Sequence, residues 1–460
     1  MWTPDIRGLE GPRYIVIATA IAQAIDSGEL PPGTQLPPQR DLAESLGVTV
    51  GTVTRAYALA SEKNLVTGEV GRGTFVRAGR NVGQRLEFRP TAPERTVDFS
   101  CYRAPIAGLG DLVSASLATL AQRAALLPLQ KYPPAAGLPA HRAIAAEWLG
   151  RIGLSARAED VLICAGVQQA IHLALATLAG PGDVILTDEL TYPGLKALAG
   201  IQGLRLVGVG MDEEGMRPEA LREAVARTGA SVVALQTTLH NPTIATMSLD
   251  RRKAIAAIAE ELRLTLFEDD AQAAILAERP VPLAALAPDR TVYSTGLAKG
   301  LSPVFRTGFV VCPPSLNEAL SNTLHAMTLG PSPFVGEMVS SILSHPDLDQ
   351  VIERMRKIIA ERVAFAVDLL GPDRVRSHPA SVHMWLSLPP EWRPLDFEAA
   401  ARRKGVAVVA ADNFATDGVR PPGAVRLSLS PGAGDNLLHR GLVTLKGMLD
   451  SRPILSATII

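Results

Sequence analysis

The chain has 460 residues, 47% of them apolar and 20% charged, with a formal net charge of −1; this predicts two or three domains with sizeable cores and excludes a disordered chain. Its three cysteines, Cys101, Cys164 and Cys312, are scattered without metal-ligand or disulfide spacing, so no metal site is expected and a reducing compartment is. The opening Met1-Trp-Thr-Pro-Asp5 is no basic-then-apolar leader, and no stretch is apolar for long enough to cross a bilayer, so a soluble, cytoplasmic protein without membrane contact is expected.

In chain order, residues 13–27 carry Ile15, Ala18, Ala22 and Ile25 at helical spacing and stop at Gly28, whose missing Cβ suits a left-handed helix end. Two prolines in Leu30-Pro-Pro-Gly33 force a turn. A short helix follows over about 38–46, ended by Gly47. Thr49 is placed to cap a third helix whose Val53, Tyr57 and Ala60 face inward and which ends near Lys63. Residues 66–76 read as a hairpin turning through Gly71-Arg72-Gly73. Three helices and a glycine-bearing hairpin make a winged helix-turn-helix. Its third helix would enter a DNA major groove with Thr49, Thr52, Thr54 and Arg55 towards phosphates and base edges. From Lys63 to Arg89 the balance is +4 by count, and local charge is what a polyanion meets within a Debye length. The other reading of this pattern is a small helical domain whose hairpin makes protein contacts.

The motifs Leu36-Pro-Pro-Gln-Arg-Asp-Leu-Ala43, Leu46-Gly-Val-Thr49, Thr52-Val-Thr-Arg-Ala-Tyr57 and Gly71-Arg-Gly-Thr-Phe75 resemble the GntR-type winged-helix domain. The resemblance implies operator contacts at Arg40, Thr49, Thr52 and Gly73, beside the wing residue Arg72. Val50 and Gly51 fill a stretch of the recognition helix that is often polar in that family, so specificity would lean on the wing or on DNA shape. The expected organisation is a DNA-binding domain over 1–79, a linker over 80–97 with Pro90, Pro93 and Gly83 among charges, and a large domain over 98–455.

Beyond the linker short apolar runs alternate with helical segments. The runs are 161–164, 184–186, 204–209, 231–235, 262–267, 291–294 and 308–311, the first followed by a helix over 168–179. This rhythm predicts an α/β domain with a largely parallel sheet covered on both faces. Such sheets bind ligands at the carboxyl ends of their strands. Four of those ends hold a coherent set. Gly166-Val167-Gln168 opens a helix whose free amides suit a phosphate, and Asn241 stands in the rigid turn His240-Asn-Pro-Thr243. Glu268-Asp-Asp270 needs a cation or a protonated partner, and Lys299 follows Gly296-Leu-Ala, with Arg306 seven residues on. Pyridoxal 5′-phosphate requires a lysine for its Schiff base, a carboxylate at its pyridine nitrogen, a donor to its phenolic oxygen and a phosphate cradle. Lys299, Asp269, Asn241 and the 166–168 turn with Arg306 supply them.

That order along the chain resembles the fold-type I aminotransferases over about residues 98–449. The resemblance implies three further roles. Tyr132, five residues before Gly137, would reach the cofactor phosphate across a dimer interface, Tyr192 would stack on the cofactor ring, and Arg426 would bind an α-carboxylate. A GntR-type module followed by an aminotransferase-like domain resembles the MocR subfamily of transcriptional regulators. Three departures stand out: Ala271 where a tyrosine is usual, Gly296 and Ala298 where serines flank the lysine, and Ile244-Ala245 where a glycine is usual. The expected function is a homodimeric, pyridoxal-phosphate-dependent regulator of a double-stranded operator that senses an amino acid, an amine or the cofactor itself. An active aminotransferase with an accessory winged helix, or residual half-reactions, stays open, as does a regulator that has lost the cofactor.

Overall fold

A computed structural model describes residues 2–4, 12–26, 29–30, 33–62, 65–69, 73–76, 96–105, 108–123, 131–429 and 435–451. The expected helix stop at Gly28, the Pro31-Pro32 turn, the helix end near Lys63, the wing tip at Gly71-Arg72 and most of the 80–97 linker lie outside them. The chain divides into two compact units, residues 1–85 and 86–460.

In the first unit α1 (Arg13–Asp26), α2 (Gln39–Leu46) and α3 (Val50–Glu62) precede an antiparallel hairpin of β1 (Val66–Glu69) and β2 (Gly73–Val76). Gly47 ends α2 at φ 63, as its missing Cβ permits. Every element feeds one core: Ile17 and Ile21, Leu42, Val53 with Tyr57 and Ala60, and Val66 with Val76. The Tyr57 hydroxyl, carried inside, donates to the Pro37 carbonyl at 2.8 Å. The inward stripe of α1 departs from the sequence expectation. Ile17, Ile21 and Ala24 are buried, whereas Ile15 is 39% exposed. A helix reading Ile-Val-Ile-Ala-Thr-Ala-Ile-Ala from residue 15 offers apolar side chains all round, so periodicity alone leaves its rotation open.

The second unit is built on a seven-stranded sheet in the order Val161–Cys164, Gly308–Val311, Thr291–Gly296, Thr265–Asp269, Val232–Leu235, Val184–Asp188, Arg205–Val209. Gly308–Val311 pairs antiparallel with both neighbours, and the other strand pairs are parallel. Adjacent residues enter different cores: Phe267 packs with Leu162 and Val292, whereas Leu266 packs with Val233 and Leu186. Both faces are therefore covered, which is why these strands read as continuous apolar runs. The run expected at 262–267 begins only at Thr265. Leu262 caps the preceding helix, and Arg263 turns the chain at φ 53.

A second body follows. Val375–Arg376, His383–Ser387, Ala424–Ser428 and Val409–Ala410 form an antiparallel four-stranded sheet whose core includes residues of the helices Leu348–Leu370, Pro394–Arg403 and Asp435–Leu449. The strand Val97–Asp98, near the beginning of the second unit's described residues, pairs with Val406–Ala407 of this body.

Candidate functional site

In the first unit, Thr49 accepts the Thr52 amide at 3.3 Å and shares a hydroxyl bond with Thr52 at 2.9 Å, capping α3 as expected. Thr54 donates to Gln39 at 2.6 Å and so ties α3 to α2. Arg55 lies 4.3 Å over the Tyr14 ring, engaged by α1. Arg40 is exposed on α2. Gly73 has φ 117, a backbone conformation that favours glycine, so its identity is set by the turn of the chain. Arg72 is among the residues not described.

In the second unit the strand ends converge. After Val161–Cys164, Gly166 adopts φ 83 at the start of the helix Val167–Leu178, whose Val167 and Gln168 amides precede the first intrahelical bonds, those of Gln169 and Ala170 to the Gly166 carbonyl. A Cβ on Gly166 would meet the Arg306 guanidinium at 2.9 Å, and one on Gly308 would meet Gly166 carbon at 2.8 Å. Arg306 donates to the Ala165 carbonyl at 3.0 Å. These glycines let the Arg306 guanidinium and the strand Gly308–Val311 close up against a helix start, which sets a cation beside free amides as a phosphate cradle needs. Next to it a Cβ on Gly194 would fall 2.2 Å from the Tyr192 ring and 2.5 Å from Gln168 Oε1, itself a buried acceptor with no partner among the described residues. Tyr192 lies within electrostatic reach of Asp269, Arg306 and Arg426.

The strand Thr265–Asp269 and the residue after it sort the three carboxylates. Glu268 takes Arg252 at 3.5 Å and the Leu283 and Ala284 amides at 3.1 and 3.0 Å. Asp270 takes Arg279 and, at 3.0 Å, the Tyr293 hydroxyl. Asp269, equally buried, is held by neutral amides, from Gln236 at 2.6 Å and Ala271 at 3.2 Å. Burial pushes its pKa up to about 6 against those bonds. Gln236 also accepts the Asn241 amide at 2.9 Å, linking two of the expected residues.

Lys299 sits in the short turn of helix Leu297–Gly300, half-buried, with its ammonium 4.3 Å from the Tyr102 ring centre. Burial, helped by Arg426, brings its pKa down to about 7. Arg426 on Ala424–Ser428 is buried, donates to the Ser100 carbonyl and, at 3.3 Å, to Asn241 Oδ1. Its pKa is lowered by burial to about 10. Tyr132 stands apart, 77% exposed, and touches none of these groups within the single chain.

Two of the departures, Gly296 and Ile244, have local structural counterparts. A Cβ on Gly296 would lie 3.0 Å from Val167 Cγ2 and 3.1 Å from the Thr307 carbonyl, a tight fit for any side chain there. Ile244 holds φ 63, the conformation for which a glycine is suited, while its side chain is buried in the core of the second body. Sequence reasoning missed Tyr102, Gln236 and Ser100. The first two carry no motif, and the third acts through its backbone.

The donor set fits pyridoxal phosphate: an amine of lowered pKa, one buried carboxylate of its cluster without a guanidinium partner, and a guanidinium held beside a helix start. The family described as aminotransferase class I and II, whose enzymes depend on that cofactor, matches residues 109–444, and the gntR family of bacterial regulatory proteins matches residues 13–76. The chain is 30% identical over 450 residues to the HTH-type transcriptional regulator YdeF of Bacillus subtilis, covering 98% of this chain and 97% of that one. It is 28% identical over 362 residues to the HTH-type pyridoxine biosynthesis transcriptional regulator PdxR of Corynebacterium glutamicum, covering 76% and 77%. Among solved structures it resembles LysN, an α-aminoadipate aminotransferase of Thermus thermophilus crystallised with N-(5′-phosphopyridoxyl)-L-leucine. The TM-score is 0.68 at 25% identity, over 80% of this chain and 98% of that one. The fold is thus a winged helix-turn-helix joined to a fold-type I aminotransferase-like domain. The chain belongs to the MocR subfamily of GntR-type transcriptional regulators.

Proposed function

We propose that the protein is a transcriptional regulator that binds pyridoxal 5′-phosphate in its second unit, senses a small amine-bearing effector there, and binds an operator through its first unit. The observation that carries this reading is Asp269, the one buried carboxylate of its cluster with no guanidinium, next to a lysine whose pKa is brought to about 7. Bound there, the cofactor would supply an aldehyde that captures primary amines. Lys299 is the resident amine. Asp269 would hold the proton on the pyridine nitrogen, Asn241 would donate to the phenolic oxygen, and Tyr192 would cover the ring. The Gly166-Val167-Gln168 amides with Arg306 would hold the phosphate, and Arg426 would take an effector carboxylate. Tyr132, exposed within one chain, supports a homodimer in which it reaches the partner's phosphate.

Catalysis is the second reading, favoured by a lysine able to exchange protons near neutral pH. Ala271 leaves the phenolic oxygen without the usual hydroxyl donor, which favours sensing over rapid turnover.

The DNA half is tested at Arg40, exposed on α2. Arg40→Ala should weaken binding to duplex from the region upstream of the gene. Removing a guanidinium that neutralises one phosphate should lower the slope of log affinity against log salt by about one. Unchanged affinity and slope, measured by fluorescence anisotropy over a salt series, would remove α2 from the interface.

A further inference from the structure

We infer that residues 97–102 are the transmitter between the effector site and the linker, an inference that rests on the function proposed above. These six residues join the site to the body that carries Arg426. At the site, the Tyr102 hydroxyl donates to the Lys299 carbonyl at 3.1 Å and its ring lies under the Lys299 ammonium. The Ser100 carbonyl accepts from Arg426, which also donates to Asn241 at 3.3 Å. Towards that body, the Val97 amide donates to the Gly405 carbonyl at 2.8 Å and the Phe99 amide to the Ala407 carbonyl at 2.9 Å. The Phe99 carbonyl accepts the Ser428 amide at 2.7 Å, two residues along the strand that carries Arg426.

Packing locks this run to the body that carries Arg426. Val97 and Phe99 are buried in the same core as Leu427, Leu438 and Leu442. A Cβ on Gly441, in the helix Asp435–Leu449, would stand 2.5 Å from the Phe99 ring and 2.7 Å from Val97 Cγ1. The lock leaves no room for one methyl group. By chain connectivity, residues 97–102 follow directly on the segment leading from the DNA-binding unit.

The coupling follows from competition at Arg426. Two of its five N–H groups go to neutral acceptors, the Ser100 carbonyl and the Asn241 amide oxygen, and its Nε is buried without a partner among the described residues. A carboxylate adds a full opposite charge and a bidentate geometry that these neutral acceptors lack. An effector carboxylate that pairs bidentately with the free Nε and a neighbouring N–H redirects the guanidinium and so loosens its hold on Ser100 and Asn241. Ser100 belongs to the transmitter, and Asn241 follows the Val232–Leu235 strand of the large sheet. Both the transmitter and the seating of the Arg426-bearing body on that sheet change with ligand. Neither change is available to an effector that has no acceptor for Arg426.

The experiment uses the full-length protein, duplex from upstream of its gene, and N-(5′-phosphopyridoxyl)-L-leucine as probe. Probe binding is read by its absorbance and DNA affinity by anisotropy. In the wild type the probe should change DNA affinity within the roughly 5- to 150-fold range typical of allosteric coupling. In Gly441→Ala, which pushes Phe99 and Val97 from their seats away from the cofactor residues, probe affinity should stay within about threefold, while the DNA response falls below about twofold. Phe99→Leu, which loosens the same lock, should behave alike and decides the matter if Gly441→Ala does not bind probe. Retention of the full DNA response by the variant that binds probe would overturn the transmitter. A wild type that binds no probe, or whose DNA affinity ignores it, would instead overturn the function on which the inference rests.

Discussion

Lys299→Ala should abolish the covalent cofactor adduct outright. With pyridoxal phosphate the wild type is expected to show a visible absorption band, and borohydride should fix the cofactor on a single peptide containing Lys299. The amine is fit for this because burial lowers its pKa from 10.5 to about 7. At pH 7 roughly half of it is neutral and nucleophilic, on the order of a thousandfold more than for an ordinary lysine. The rate of adduct formation should rise with pH through a midpoint near 7. An adduct that persists in the alanine variant, or a rate still climbing towards pH 10, would assign the chemistry to another lysine.

Asp269→Asn should separate stability from function. The folded-state pKa of Asp269 lies near 6, above the ordinary 3.8, so the fold prefers the neutral acid. Between those values the folded protein holds a proton that the unfolded chain has lost. The cofactor-free protein therefore gains stability from this residue as pH falls from about 7 towards 4, by about 3 kcal/mol as an order of magnitude. Asparagine carries no charge at any pH. The variant should thus melt higher than wild type at pH 8 without cofactor and lose this part of its pH dependence. It should also bind pyridoxal phosphate at least about a hundredfold more weakly, because one member of a buried charge pair is gone. Thermal melts from pH 4 to 8 with a cofactor titration check both. A variant less stable at pH 8, or one that keeps tight binding, would show that Asp269 does not face the pyridine nitrogen.

Which parts of this were legible in the sequence follows from the range of the interactions. Gly47, Thr49 and the hairpin act over a few residues, and the structure places them where turn and cap chemistry put them. The strand-end residues were legible because a buried parallel sheet writes itself as apolar runs and its ligand groups stand directly after them. The partition of Glu268, Asp269 and Asp270 was not. It depends on Arg252 and Arg279, which arrive from elsewhere in the chain. Tyr102 meets Lys299 across 197 positions and Ser100 meets Arg426 across 326, through backbone atoms that no side-chain pattern reports. Arg55, expected to face DNA, is held over Tyr14 because an exposed guanidinium on α3 lies beside an aromatic of α1. In the sequence the absent serine at 296 and glycine at 244 look like missing polar or flexible groups. In the fold the first gives way to a close helix approach, and the second to a buried isoleucine held in a left-handed backbone.

The central claim is that occupancy of the Lys299–Arg426 site sets affinity for DNA. The most direct measurement is a titration of the full-length protein against duplex from upstream of its gene at fixed salt. It compares apoprotein, protein with pyridoxal phosphate, and protein with N-(5′-phosphopyridoxyl)-L-leucine, each as wild type and as Arg426→Lys. The carboxylate-bearing ligand should shift wild-type DNA affinity by at least about fivefold relative to pyridoxal phosphate alone. Arg426→Lys should bind DNA as the wild type does with pyridoxal phosphate and lose that shift, because lysine cannot reproduce the bidentate pair. The same DNA affinity in all three ligand states of the wild type would contradict the claim.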